Sequence, residues 1–171
     1  MTDASIAKSQ APAPWPRDIV FISLESWDEI WRRNQFICDE LARRHPDRRI
    51  LFVGLPRNVS NALRHRRFAE AFGNAPPVKA SRDNIIVTAA VKLFPNTLTI
   101  GRRLNELLLL RHVRAQMKRY QITAPLLWIN DHAAVHLVGR LGESGVVYDI
   151  TDDWTTLTQS PRLTEDRKSV V

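Results

Sequence analysis

At 171 residues and 19.6 kDa the chain has the size of one domain, and 44% hydrophobic with 25% charged residues is globular usage that excludes a disordered or fibrous protein. A single cysteine, Cys38, excludes a disulfide scaffold and a Cys-rich zinc site, and the absence of any run of about 18 apolar residues excludes a membrane span, so a cytoplasmic location is the default expectation. Lys+Arg 25 against Asp+Glu 18 gives +7, which points to a polyanionic neighbour without choosing among nucleic acid, anionic lipid and a phosphate-bearing ligand.

Residues 1–17 carry Ala11-Pro12-Ala13-Pro14-Trp15-Pro16 and no apolar periodicity, the pattern of a flexible Pro-rich leader, and they lack the apolar core of a secretory signal. From Asp18 two kinds of segment alternate. Ile19 to Leu24 is a short, continuous apolar run rich in β-branched residues, as expected of a strand buried on both faces. Trp31 to His45 reads as an amphipathic helix with Trp31, Phe36, Ile37 and Leu41 on the apolar side, Cys38 beside them, and Pro46 ending it. Ile50 to Leu55 repeats the strand pattern. Arg57, Arg64, His65, Arg66 and Arg67 then interleave with Leu63, Phe68, Ala71 and Phe72, giving a helix with one cationic and one apolar face. A third strand is expected over Ile85 to Val91, and a long helix over Ile100 to Tyr120 with Ile100, Leu104, Leu107, Leu108, Val113, Met117 and Tyr120 as its buried stripe. Leu126 to Ile129 is the fourth strand, Ala133 to Leu141 a shorter helix closed by Gly142, and Val146 to Ile150 the fifth strand. The alternation predicts an α/β fold, a Rossmann-like doubly wound parallel sheet of about five or more strands in a single domain.

Such a sheet binds ligands in the loops at the carboxyl ends of its strands. The loop after the first strand contains no glycine, whereas a dinucleotide site needs G-x-G-x-x-G there so that backbone N–H groups can approach the pyrophosphate. No phosphate-binding G-x-x-x-x-G-K followed by Ser or Thr and no G-x-S-x-G elbow occurs. Nucleotide oxidoreductases, triphosphatases and α/β-hydrolases are therefore disfavoured.

Three stretches carry a family resemblance: the first strand with Trp27 and then Arg33-Asn34-Gln35-Phe36 through Leu41-Ala42-Arg43-Arg44; Leu127-Trp128-Ile129-Asn130-Asp131-His132; and Val147-Tyr148-Asp149-Ile150-Thr151-Asp152-Asp153-Trp154. Together they run over roughly Asp18 to Leu157, and the sequence resembles the N-terminal domain of a GT-B fold glycosyltransferase of the kind that builds bacterial cell-surface polysaccharides, the teichuronic-acid type included. The resemblance implies a two-domain enzyme in which residues 18–165 form the acceptor-side Rossmann-like half. A nucleotide-sugar donor would bind a C-terminal domain whose acidic donor motif is not in this sequence, so the chain alone is not expected to turn over. It implies no cofactor and no metal. It implies a glycan or lipid-linked acceptor as partner; the basic segment around Arg64 to Arg67 adds a peripheral place at the inner face of the plasma membrane to the cytoplasmic expectation, and with no stacking platform or nucleic-acid motif no nucleic-acid partner is expected. Residues 166–171, Asp-Arg-Lys-Ser-Val-Val, are what GATCGGAAGAGCGTCGTG, the start of a common sequencing adapter, encodes in frame; a non-native tail on a truncated reading frame is the expectation.

Candidate site residues follow. Asp131 and His132 come directly after a buried strand at the carboxyl edge, where either could take a proton from an acceptor hydroxyl; the competing reading of Asp131 is a helix cap. His136, one turn on, makes a His pair conceivable, but no H-E-x-x-H pattern accompanies it. Glu25, Trp27 and Asp28 lie in the acceptor loop, where an aromatic face beside carboxylates suits a sugar ring; the competing reading of Trp27 is a core residue pinning the first helix. Asp152 and Asp153 read as substrate-binding carboxylates, or as a turn cap with Trp154 in the core. Arg64, Arg66 and Arg67 suit an anionic membrane surface or simply a solvated helix face. The alternative from another class is a non-catalytic Rossmann-like binding module whose basic face meets nucleic acid or a protein partner.

Overall fold

The computed structural model describes residues 18–58, 80–94 and 99–150; the Pro-rich leader, Arg64, Arg66, Arg67, Asp152, Asp153 and residues 166–171 lie outside them. The elements, in order, are β1 (Ile19–Ile22), α1 (Arg33–Arg44), β2 (Ile50–Asn58), β3 (Ile85–Lys92), α2 (Thr99–Arg119), β4 (Leu126–Ile129), a 3-10 helix (His132–Leu137) and β5 (Gly145–Tyr148). All five strands pair in parallel, in the order β3-β2-β1-β4-β5. This is the Rossmann-like α/β arrangement that the alternating segments predict.

The central strands are apolar along their whole length because both of their faces are covered. On β1, Ile19 and Phe21 point into a layer with Cys38 and Ala42 of α1, Ile50 and Phe52 of β2, and Trp27. Val20 and Ile22 point the other way, against Leu110, Val113 and Met117 of α2 and Leu127 and Ile129 of β4. The two helices sit on opposite faces because β1 to β2 steps along the sheet in one direction and β3 to β4 steps back across it; right-handed connections then fall on opposite sides. The chain order reverses between β1 and β4, and that reversal opens a crevice at their carboxyl ends.

Three expectations are corrected. The sheet-facing side of α2 is Leu110, Val113 and Met117, while Ile100, Leu104 and Leu107 of the expected stripe are exposed, Ile100 at 75%. Leu107-Leu108-Leu109-Leu110 covers nearly a full turn, so apolar residues face every direction there and periodicity cannot select the packed side. Likewise Phe36 lies 59% exposed against the edge of Trp31, and the buried positions of α1 are Asn34, Gln35, Cys38 and Ala42. The expected helix over Ala133 to Leu141 is a 3-10 helix that stops at Leu137. Gly139 and Gly142 adopt φ of 75° and 66°, and the Glu143 carboxylate accepts from the N–H groups of Gly139 and Leu141, so the chain turns instead of continuing.

At the amino edge, Asp18 is almost fully buried and accepts from Arg49 through both its backbone N–H (2.9 Å) and its guanidinium (2.9 Å). Arg49 also donates to the carbonyls of Tyr120 and Gln121. One ion pair thus ties the starts of β1 and β2 to the end of α2, leaving the opposite edge for binding.

Candidate functional site

The carboxyl edge is held together by amides. Asn34, on the first turn of α1, donates through Nδ2 to Ser23 Oγ (2.8 Å) and to Asn130 Oδ1 (2.7 Å). Ser23 Oγ also accepts from the Glu25 N–H (2.9 Å), and Asn130 Nδ2 donates to the Asp149 carbonyl (3.3 Å). Ser23, Asn34 and Asn130 are all buried. They clamp the ends of β1 and β4, the start of α1 and the exit from β5 around the point where strand order reverses. Arg33 adds a two-pronged ion pair with the Asp149 carboxylate (2.8 and 2.9 Å), which also accepts from Trp128 Nε1 (3.2 Å). The β1–α1 loop passes close over β2: a Cβ on Gly54 would lie 3.2 Å from the Glu25 carbonyl oxygen, so that position requires glycine or a shift of the loop.

Beside this clamp, on the α2 side of the sheet, is a cleft of about 300 Å³. Its floor is apolar, from Leu55, Pro56, Ala90 and Leu109; its polar rim is Lys92, Arg102, Asn105, Glu106, Asp131 and His136. Asp131 accepts from the Ala133 N–H (2.9 Å), so the capping role expected of it is observed, and it also lines the cleft. Burial pushes its carboxyl above the ordinary carboxylate value, against the opposing pull of that N–H and of His132, His136 and Lys92 nearby. His136 Nδ1 lies 2.9 Å from the Ala133 carbonyl, which only accepts, so Nδ1 bears a proton and donates it there. His136 Nε2 and Arg102 Nε are both buried without a hydrogen-bond partner among the described residues, Arg102 Nε lying 3.8 Å from the Glu106 carboxylate in an ion pair too long to be a hydrogen bond. A ligand bearing hydroxyls can supply what both lack, because a hydroxyl donates and accepts.

The positions expected from sequence divide. Asp131 lines the cleft; His132 begins the 3-10 helix, half-buried, while His136 faces the cleft with Ala133. Trp27 is 5% exposed, with its ring edge-on to Phe52 at 5.0 Å and to Trp31 at 6.1 Å, so the packed reading of this residue is the one observed and its face is closed to a sugar ring. Asp28 accepts from the Ile30 N–H (3.0 Å) and pairs with Arg32 (2.8 Å), which lowers its carboxyl pKa and shapes the entry to α1. Glu25 is half-buried, with Oε2 lacking a hydrogen-bond partner among the described residues. Sequence reasoning missed Asn34, Asn130, Lys92, Arg102 and Asn105; the only signal was an Asn at the carboxyl end of a buried strand. Among the described residues no group of three or more side chains is arranged to hold a metal ion. No helix among them is long and apolar enough to cross a membrane.

No family model, no characterised protein and no solved structure matches this chain.

Proposed function

We propose that the chain is the acceptor-side half of a glycosyltransferase, and that the cleft beside Asp131 receives the acceptor saccharide. The observation that carries this reading is a carboxyl group at the carboxyl rim of a Rossmann-like sheet, raised by burial and opening on a cleft whose floor is apolar and whose rim both donates and accepts. A carboxylate with a raised pKa is a stronger base, suited to taking the proton from an attacking hydroxyl. In this reading Asp131 is the base, with His136 beside it in the cleft and His132 next to it in the chain. His136 Nε2 accepts from a second hydroxyl, and Lys92 and Arg102 meet an anionic substituent of the acceptor. Glu25, with Asp152 and Asp153 beyond the described residues, contributes further acceptors for hydroxyls. The resemblance of Leu127 to His132 and Val147 to Trp154 to GT-B enzymes supports the same assignment and supplies the nucleotide-sugar as donor, held by a domain outside this sequence.

The test is the Asp131→Asn variant, assayed for sugar transfer together with the donor-binding half that this reading requires. It keeps the cap to Ala133 and removes the base, so transfer falls about 100-fold or more while the fold is retained. Undiminished turnover overturns the assignment.

A further inference from the structure

The exposed side of α2 is not the surface of an ordinary solvated helix. Ile100, Leu104, Leu107, Arg111, Arg114 and Lys118 follow one another at spacings of four and three, so they form one stripe along the helix. All six are exposed. Its first half is apolar and its second half is basic. Glu106 is the one acidic residue of the helix; it lies off the stripe and pairs with Arg102 (3.8 Å).

The apolar half does not end with the helix. Leu93 and Phe94, both exposed, sit on the turn leaving β3. Asn105 holds that turn by accepting from the N–H groups of Leu93 and Phe94 (3.2 Å each) and donating to the Phe94 carbonyl (2.8 Å). Phe94, Leu104 and Leu107 border a groove of about 620 Å³ that reaches past Arg111 to Ala115. The result is a fixed apolar platform at the carboxyl edge of the sheet, continued by a cationic track. At 1.5 Å per residue the stripe runs about 27 Å.

We propose that this face of α2 docks on the surface of an anionic lipid bilayer. Ile100, Leu104, Leu107 and the Leu93–Phe94 turn enter the boundary between headgroups and acyl chains, while Arg111 and Lys118 meet lipid phosphates and Arg114, whose guanidinium donates to the Arg140 carbonyl (2.8 and 3.2 Å), adds its charge between them. Burial of apolar side chains among acyl chains and attraction of cations to anionic headgroups are the two contributions that hold a protein at a bilayer surface; on α2 they come from successive stretches of one stripe. Nucleic acid fits the track but leaves five large apolar side chains facing phosphates and water. A second copy of the chain fits poorly as well. Two stripes side by side in the same direction oppose like charges, and in the reverse direction each apolar half meets a basic half. The proposal stands apart from the saccharide-binding reading, because vesicle binding requires no acceptor.

The test is co-sedimentation of the full chain with vesicles of phosphatidylcholine containing phosphatidylglycerol, against phosphatidylcholine alone. Binding is expected to the anionic vesicles and to weaken with salt. Arg111→Ala and Lys118→Ala should each weaken it about fivefold, and the Leu104→Asp/Leu107→Asp pair should abolish it with the thermal midpoint unchanged, since neither leucine is in the core. Arg43→Ala on α1, which removes one charge elsewhere, should matter least. A dye attached after Phe94→Cys should shift to the blue on binding, and Cys38 is too buried to compete for the label. The proposal is overturned if the chain ignores anionic vesicles or binds neutral ones equally. It is overturned equally if the α2 variants bind normally while changes at Arg64, Arg66 and Arg67 remove binding, or if Leu104→Asp/Leu107→Asp instead dissolves a dimer or abolishes RNA binding.

Discussion

Asn130→Ala removes the residue that joins the two halves of the sheet at the carboxyl edge, and its cost can be worked from the contacts. The 2.7 Å bond from Asn34 Nδ2 is lost, along with the longer bonds from the Leu24 N–H (3.4 Å) and to the Asp149 carbonyl (3.3 Å). A buried hydrogen bond contributes about 1 kcal/mol net, and leaving its buried donor unpaired costs about 1–3 kcal/mol more. The two longer bonds contribute little. A loss of about 3 kcal/mol follows, read as a lower urea midpoint with an unchanged slope, or as a fall in Tm of about 6–12 °C. Asn34→Ala removes the donor that Asn130→Ala orphans, so the double variant should cost less than the sum of the single ones by about 1 kcal/mol or more. An Asn130→Ala loss below about 0.5 kcal/mol, or strict additivity with Asn34→Ala, would refute the clamp.

Asp131→Asn should stabilise the protein at neutral pH. Burial holds the folded carboxyl above its ordinary 3.8; stability from this group is present below that value and lost as pH rises through the folded one. Urea midpoints of wild type and variant should therefore diverge as pH rises through that window, in favour of the variant; parallel curves would contradict the burial argument. Asp131→Ala also loses the cap to Ala133 and should cost about 1 kcal/mol relative to Asp131→Asn. Cys38 is fully buried and its thiol is pushed up by burial, so a thiol reagent should modify it only in denaturant; rapid labelling of the native chain would be inconsistent with its place under α1. Leu110→Ala should cost about 2–5 kcal/mol in chemical unfolding, whereas Leu107→Ala should cost less than about 0.5 kcal/mol.

The five strands were legible because Val, Ile, Leu and Phe fill positions on both faces of a covered sheet, a pattern without polar interruption from Ile19 to Ile22 or Ile50 to Val53. Their parallel pairing followed from the helices between them. The face that α2 packs was legible only in its second half, where Val113, Met117 and Tyr120 of the expected stripe pack on the sheet; before them, four consecutive leucines leave the phase undetermined. The clamp was not legible: Asn34 looks like a surface residue in a periodicity analysis, and only its contact with Ser23 and Asn130, far apart in sequence, makes it core.

Within the site, Asp131 was legible because a carboxylate directly after a buried strand must lie at the carboxyl edge. The choice between its neighbouring histidines was not. An α-helix would place His132 and His136 on one side, but the observed 3-10 helix has about three residues per turn, which aligns His136 with Ala133 and turns His132 away. Trp27 offered two readings because a tryptophan beside carboxylates looks the same in sequence whether it faces a ligand or Phe52.

The most direct test of the central claim is an amide NMR titration of the chain with a panel of soluble oligosaccharide acceptors, neutral and uronic-acid-bearing. Shifts concentrated on Lys92, Asn105, Asp131, Ala133 and His136, and absent from the Asp131→Asn/His136→Ala variant, are the predicted result. Saturating concentrations that leave those amides unmoved, or that move the Asp18 and Arg49 edge instead, would contradict it.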